Sequence, residues 1–181
     1  MNPQQAIRST TVIAVIRDGV LAMASDGQVT VGNAAVKHGA QKARRSASGR
    51  ALIGFAGGAA DAMALTERLE AKLEAHPGNV RRAAVELAKE WRMDRAMRQL
   101  EALLIVGDAE TVLMASGNGD VIEPDDGIAS IGSGSNFALA AARALISHTE
   151  LSAAEIAEQA LRIAADLCIY TNDRVTLVTL P

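Results

Sequence analysis

Aromatic side chains are scarce in this chain: Phe55, Trp91, Phe137 and Tyr170 are the only four among 181 residues. Its core must therefore be built from Ala, Leu, Ile, Val and Met, and such small side chains let helices and sheets approach closely, as a layered fold requires. Excess positive charge is also missing. The formal net charge is −3, which argues against a nucleic-acid role, since phosphate binding needs a basic face. The densest basic stretch, Lys42 to Arg45, reads as a solvated strand or loop. With Cys168 as the single cysteine, no internal disulfide can form, and a reducing compartment is expected. No run of about 18 uncharged apolar residues appears, so no membrane span is expected. The opening MNPQQAIRS lacks the apolar centre of a secretory signal. A cytoplasmic location is the expectation.

Several familiar site motifs are absent as well. Neither GFAGGAAD nor GSGSN matches a phosphate-binding G-x-x-x-x-G-K-[ST] or G-x-G-x-x-G pattern, so nucleotide binding is not expected. His38, His76 and His148 are scattered, with no i, i+4 pair and no partner cysteine to make a transition-metal site. No G-x-S-x-G elbow is present.

What remains is patterned. Two short apolar runs, residues 11–17 and 20–25, flank Asp18-Gly19, a two-residue hairpin signal. Residues 50–58 read as a buried strand entering a glycine turn, followed by a helix with Leu65, Leu69 and Leu73 on one face. Pro77-Gly78 ends that helix, and Asn79 caps a second one predicted to run to about Gln99, with Val85, Leu87, Ala88 and Trp91 inward. Two strands about GDAE, a tight turn at residues 117–120 and a strand ending in GSG come next. A helix over 136–148 follows, then one opened by the capping box Ser152–Glu155 and running to about Leu167, then a closing strand, RVTLVTL. Hairpins, two helices, hairpins, two helices and a strand do not alternate as a parallel doubly wound sheet does. Two antiparallel sheets covered by two helical layers, an α+β fold, fit the order.

The chemistry turns on Thr10-Thr11. By propensity alone they are two β-branched residues opening a strand. A threonine hydroxyl becomes a nucleophile only when a base takes its proton. A threonine at the chain's own N-terminus supplies that base, because its α-amine titrates near about 7.7–8.0, and a lysine nearby lowers that value. The scheme requires residues 1–9 to be removed as a leader, leaving 10–181 as a single domain. The loops GFAGGAAD and GSGSN lie between strand and helix, where backbone N–H groups can meet an oxyanion.

TTVIAV, SDGQVTVGN, GFAGGAADA, RRAAVELAKEWRMDR, LEALLIV, GNGDVIEP, IGSGS and CIYTND resemble, in order and spacing, the HslV family of proteasome-like peptidases. The resemblance runs from Thr10 to about Val178. It implies an N-terminal nucleophile hydrolase with a four-layer α-β-β-α sandwich and a homo-dodecamer of two stacked hexamers. It also implies a partner ATPase of the HslU type that unfolds protein substrates. By the same resemblance Thr10 is the nucleophile, Asp26 and Lys42 set its charge state, Gly57 donates its backbone N–H to the oxyanion, and Ser133 lies beside the nucleophile's amine. AADLCIYTN resembles the family's sodium loop, with the carbonyls of Ala165, Cys168 and Thr171 as ligands. The chain departs from the family pattern at Ser25 and Ala165, where glycine is expected, and at Ser135 and Phe137, where glycine and tyrosine are expected. An alanine at 165 matters if the loop needs a positive φ. Two other functions share this fold: a non-catalytic proteasome-like ring subunit, which has no need of the Asp26–Lys42–Gly57–Ser133 set, and a small-amide hydrolase that works without an ATPase.

Overall fold

The computed structural model describes residues 10–95, 97 and 102–181, with only the backbone at 59 and 60. The leader, residues 1–9, lies outside the described residues.

The first hairpin forms where the pattern places it. Strand β1 (Thr11–Arg17) turns at Asp18-Gly19 into β2 (Val20–Ser25). Both turn residues have positive φ, 52° and 74°, as a type I′ turn demands. The register pairs Val12 with Ser25 and Arg17 with Val20. A two-stranded ribbon follows, β3 (Val29–Val31) and β4 (Ala34–Lys37). Then come β5 (Ala43–Arg45), β6 (Leu52–Gly57), helix α1 (Ala59–Ala75) and helix α2 (Val80–Met93). Strands β7 (Ala102–Gly107), β8 (Val112–Ser116), β9 (Val121–Ile122) and β10 (Ile128–Gly132) lead to helices α3 (Ser135–His148) and α4 (Ala153–Leu167), and β11 (Thr176–Leu180) closes the chain.

One sheet has the order β10-β1-β2-β11 and the other β5-β6-β7-β8-β9, with antiparallel neighbours throughout. Side chains alternate across β1 and β2. Val12, Ala14, Leu21 and Met23 face the second sheet, where they meet Leu52, Ile105 and Val112. Ile13, Val15, Ala22 and Ala24 face the opposite way, onto Ile156, Ala157, Ala160, Leu161 and Ala164 of α4. The other sheet is covered by α1 and α2 through Leu65, Leu69, Leu87 and Trp91. The result is an α-β-β-α sandwich in which β1 is buried on both faces, so its apolar run is continuous rather than alternating. The alanines of α4 are what allow that helix to lie so close to the sheet.

Caps follow the sequence signals. Asn79 accepts the Arg82 N–H, and Ser152 and Glu155 close a reciprocal capping box. Helix α2, however, stops at Met93 rather than near Gln99. Asp94 takes an extended ψ of 118° there and its carboxylate accepts the Met97 N–H at 3.3 Å. The Trp91 indole N–H reaches the Met97 carbonyl at 2.9 Å and folds the chain back. Residues 98–101 lie outside the described residues. No described helix is long and apolar enough to cross a membrane.

Candidate active site

The β1–β2 hairpin returns the end of β2 to the start of β1, which carries Asp26 to the threonine pair. The Thr11 N–H donates to Asp26 Oδ1 at 2.7 Å, and the Asp26 N–H donates to the Thr11 carbonyl at 3.1 Å. Lys42, just ahead of β5, reaches in from the second sheet. Its Nζ donates to Asp26 Oδ1 at 2.9 Å and to the Gln28 carbonyl at 2.5 Å. Asp26 Oδ2 accepts the Gln28 N–H at 2.9 Å. Asp26 is 0% exposed, Lys42 4% and Thr10 3%, so this ion pair is out of water, where a charge is felt by its neighbours far more strongly than at the surface. Burial lowers the Lys42 pKa from its ordinary value, and the Asp26 charge and hydrogen bond oppose that shift. An ammonium has three N–H groups; two are used in this way, and the third has no partner among the described residues.

Strand β10 forms the other wall. The Ser133 N–H donates to the Thr10 carbonyl at 2.7 Å, fixing the main chain of Thr10 from the side opposite Asp26. That closeness requires glycine at 132, where φ is 97° and a Cβ would stand 1.9 Å from the Thr10 carbonyl oxygen. The same imagined Cβ would lie 3.4 Å from the Cβ of Ala56, so the end of β6, with Gly57 as its last residue, borders the same spot. Five sequence-predicted residues thus come from five places along the chain: Thr10 before β1, Asp26 after β2, Lys42 before β5, Gly57 ending β6 and Ser133 after β10.

The predicted cation loop follows α4. Ala165 lies in the last helical turn, not in a positive-φ conformation, so alanine is accommodated without strain. The last helical hydrogen bond runs from the Cys168 N–H to the Ala164 carbonyl, and no backbone N–H among the described residues closes onto the Ala165 carbonyl. The Cys168 carbonyl accepts the Thr171 N–H at 3.0 Å and keeps a second lone pair. Oxygen donors at the negative end of a helix suit a hard cation such as sodium, and the residues present fit one. Of the other departures, Ser25 ends β2 fully buried, and its hydroxyl has no hydrogen-bond partner among the described residues. Phe137 is 42% exposed on α3.

Sequence reasoning missed the hydrogen bonding of the Thr11 hydroxyl, next to Thr10. Thr11 Oγ1 accepts the Gly134 N–H at 2.9 Å and lies 2.7 Å from Thr171 Oγ1. Asn172 adds a further tie, accepting the Gly27 N–H at 3.0 Å.

A strand-opening threonine above a buried aspartate–lysine pair, between two stacked antiparallel sheets, is the arrangement of a proteasome-type subunit. The profile of the proteasome subunit family matches residues 7–180, and the chain belongs to that family. Within it, relatives matched over nearly their full length include HslV proteins. The chain is 58% identical over 173 residues to the ATP-dependent protease subunit HslV of Syntrophobacter fumaroxidans, covering 96% of this chain and 97% of that one. It is 56% identical over 170 residues to the HslV of Pseudothermotoga lettingae, covering 94% and 97%. The crystal structure of eukaryotic HslV from Trypanosoma brucei superposes with a TM-score of 0.89 at 47% identity, covering 94% of this chain and 98% of that one.

Proposed function

We propose that this chain is the threonine-type peptidase subunit of an ATP-dependent protease, with Thr10 as its nucleophile once residues 1–9 are removed. The observation that carries the reading is the buried Asp26–Lys42 pair, hydrogen-bonded through Asp26 to the residue next to Thr10. The freed α-amine of Thr10 takes the proton of its own hydroxyl, and Oγ forms a bond to the carbonyl carbon of the substrate amide. The oxyanion is met by the Gly57 N–H. The proton passes from the ammonium to the departing amine as the C–N bond breaks, leaving an ester on Thr10. Water, deprotonated by the same amine, then attacks that ester, and Thr10 leaves with its proton restored. The Lys42 charge lowers the amine's pKa, so that more of it is free base at neutral pH, and Ser133 lies beside the amine. A sodium ion, when bound by the carbonyls of Ala165, Cys168 and Thr171, supplies positive charge that holds the α4 terminus and the following loop together. The relatives' names support a partner ATPase. We take it to be a hexamer of the HslU type feeding unfolded protein to a homo-dodecamer of this chain, in the cytoplasm.

The test is peptide and unfolded-protein cleavage in the presence of a HslU-type ATPase, followed across pH. Cleavage that depends on the ATPase and ATP is expected. The rate should rise as the Thr10 amine loses its proton and fall again on the alkaline side as Lys42 loses its own. Because burial lowers the Lys42 pKa, the alkaline limb should lie below 10.5. Lys42→Met, which removes the titrating group, should be slow at every pH and lack that limb. No cleavage at any pH would favour a non-catalytic ring subunit, and full activity without the ATPase a small-amide hydrolase.

A further inference from the structure

A nucleophile that is also a chain terminus has an orientation problem. Once residues 1–9 are gone, no preceding peptide unit holds Thr10, and its one covalent tie runs to Thr11. Thr11 is therefore the residue to inspect. It is 0% exposed, and each of its polar atoms is engaged. Its N–H donates to Asp26 Oδ1 at 2.7 Å and its carbonyl accepts the Asp26 N–H at 3.1 Å. Its Oγ1 accepts the Gly134 N–H at 2.9 Å and shares a 2.7 Å hydrogen bond with Thr171 Oγ1.

Strand propensity does not account for this. A β-branched residue is all that the strand asks for, and valine would serve equally well. The hydroxyl is what the surroundings are built around. Gly134, the N-cap of α3, comes so close that a Cβ there would stand 2.5 Å from Thr11 Oγ1 and 2.7 Å from Thr171 Oγ1. A buried hydroxyl without partners costs about 1–3 kcal/mol; here the α3 N-terminus and the loop after α4 both supply them. Thr11 thus joins β1, α3 and the Cys168–Thr171 loop at a single oxygen, while its main chain grips Asp26.

We propose that Thr11 is a positioning residue for the reaction: its hydroxyl, held by Gly134 and Thr171, fixes the main chain that carries the Thr10 amine and Oγ above the Asp26–Lys42 pair. This rests on Thr10 being the nucleophile. It makes the threonine doublet a division of labour, with the first hydroxyl attacking and the second holding the first in line. It also gives the loop after α4 a direct route to the reacting group through the Thr171 hydroxyl.

The experiment compares Thr11→Val, isosteric but without the hydroxyl, with Thr11→Ser, which keeps it, in the assembled protease with its ATPase. Two quantities are read: kcat and KM for a fluorogenic peptide, and the rate at which a peptide vinyl sulfone labels the N-terminal threonine. Thr11→Val should lower kcat about 10- to 100-fold, the range that a small misplacement of a reacting group produces. Its KM should stay within about threefold, because ground-state binding is untouched. The labelling rate should fall in parallel, and Thr11→Ser should restore both rates to within about threefold of the parent. A purely structural role predicts no kcat-specific loss. Wild-type kcat in Thr11→Val, or a Thr11→Ser as slow as Thr11→Val, overturns the proposal. Should Thr11→Val not assemble, Thr171→Val replaces it: kcat reduced about threefold or more with KM held supports the proposal, and unchanged kcat overturns it. Thr10→Ala, run alongside, separates the two ideas. If it cleaves, the nucleophile assignment itself falls; if it is inert while Thr11→Val is unimpaired, only the positioning role falls.

Discussion

Thr10→Ala is expected to assemble as the parent does and to lose peptide cleavage by on the order of 10⁴-fold or more, the scale on which removal of a covalent nucleophile acts. The fold should be indifferent to the change. The structural ties of Thr10 run through its main chain, with its carbonyl accepting the Ser133 N–H, and alanine keeps that bond. The strand register of β1 begins at Thr11, paired with Gly132, and is likewise unaffected. Native mass and circular dichroism should match the parent while turnover in the presence of the ATPase vanishes. Cleavage at more than a few per cent of the parent rate would remove Thr10 from the mechanism.

The second large effect is expected at Asp26, in stability as well as rate. Asp26→Ala leaves the Lys42 ammonium, 4% exposed, without its counter-ion, and deprives the Thr11 and Gln28 N–H groups of their acceptor. Removing one partner of a buried ion pair costs about 3–5 kcal/mol, because the remaining charge is stranded. The unfolding midpoint should therefore fall sharply at fixed protein concentration, a condition that matters because oligomerisation contributes to apparent stability. The double variant Asp26→Ala/Lys42→Met tests the cause. With the stranded charge gone, stability should recover much of the loss, while activity should not, since the Lys42 charge that the proposed mechanism uses to lower the Thr10 amine's pKa is gone too. A double variant no more stable than Asp26→Ala would show that lost packing or hydrogen bonding, not the uncompensated charge, dominates.

The burial of Lys42 also gives the pH dependence of stability a sign. Its folded pKa is lowered relative to 10.5, so between the two values the unfolded chain binds more protons than the folded one. Stability then rises with pH through that window. Below the folded pKa the penalty on the buried ammonium is present in full.

Much of this was legible in the sequence because it is written locally. Asp18-Gly19 specifies a two-residue turn, and that turn fixes the register which puts Asp26 beside the threonines. Ser152 and Glu155, three residues apart, announce the start of α4. What was not legible depends on distant groups. The partners of the Thr11 hydroxyl lie 123 and 160 residues away, and nothing in the neighbourhood of Thr11 distinguishes its hydroxyl from that of any strand threonine. The end of α2 escaped notice because the Arg92–Met97 stretch is helix-permissive by composition. Its exit is set by the Trp91 indole bonding forward to Met97, a tertiary choice. The β3–β4 ribbon escaped for the opposite reason. All four residues of β4 are exposed, so there is no buried face to impose an alternating pattern. Ser25 remains a departure for which the structure offers no hydrogen-bonding reason.

In the proposed mechanism one amino acid supplies both the attacking hydroxyl and the base, which demands a free α-amine on Thr10. Intact-mass analysis of the catalytically active protein, with N-terminal sequencing, tests it most directly. The mature chain should lack residues 1–9 and begin at Thr10. An active preparation composed of full-length chains, or of chains beginning at any other residue, would contradict it.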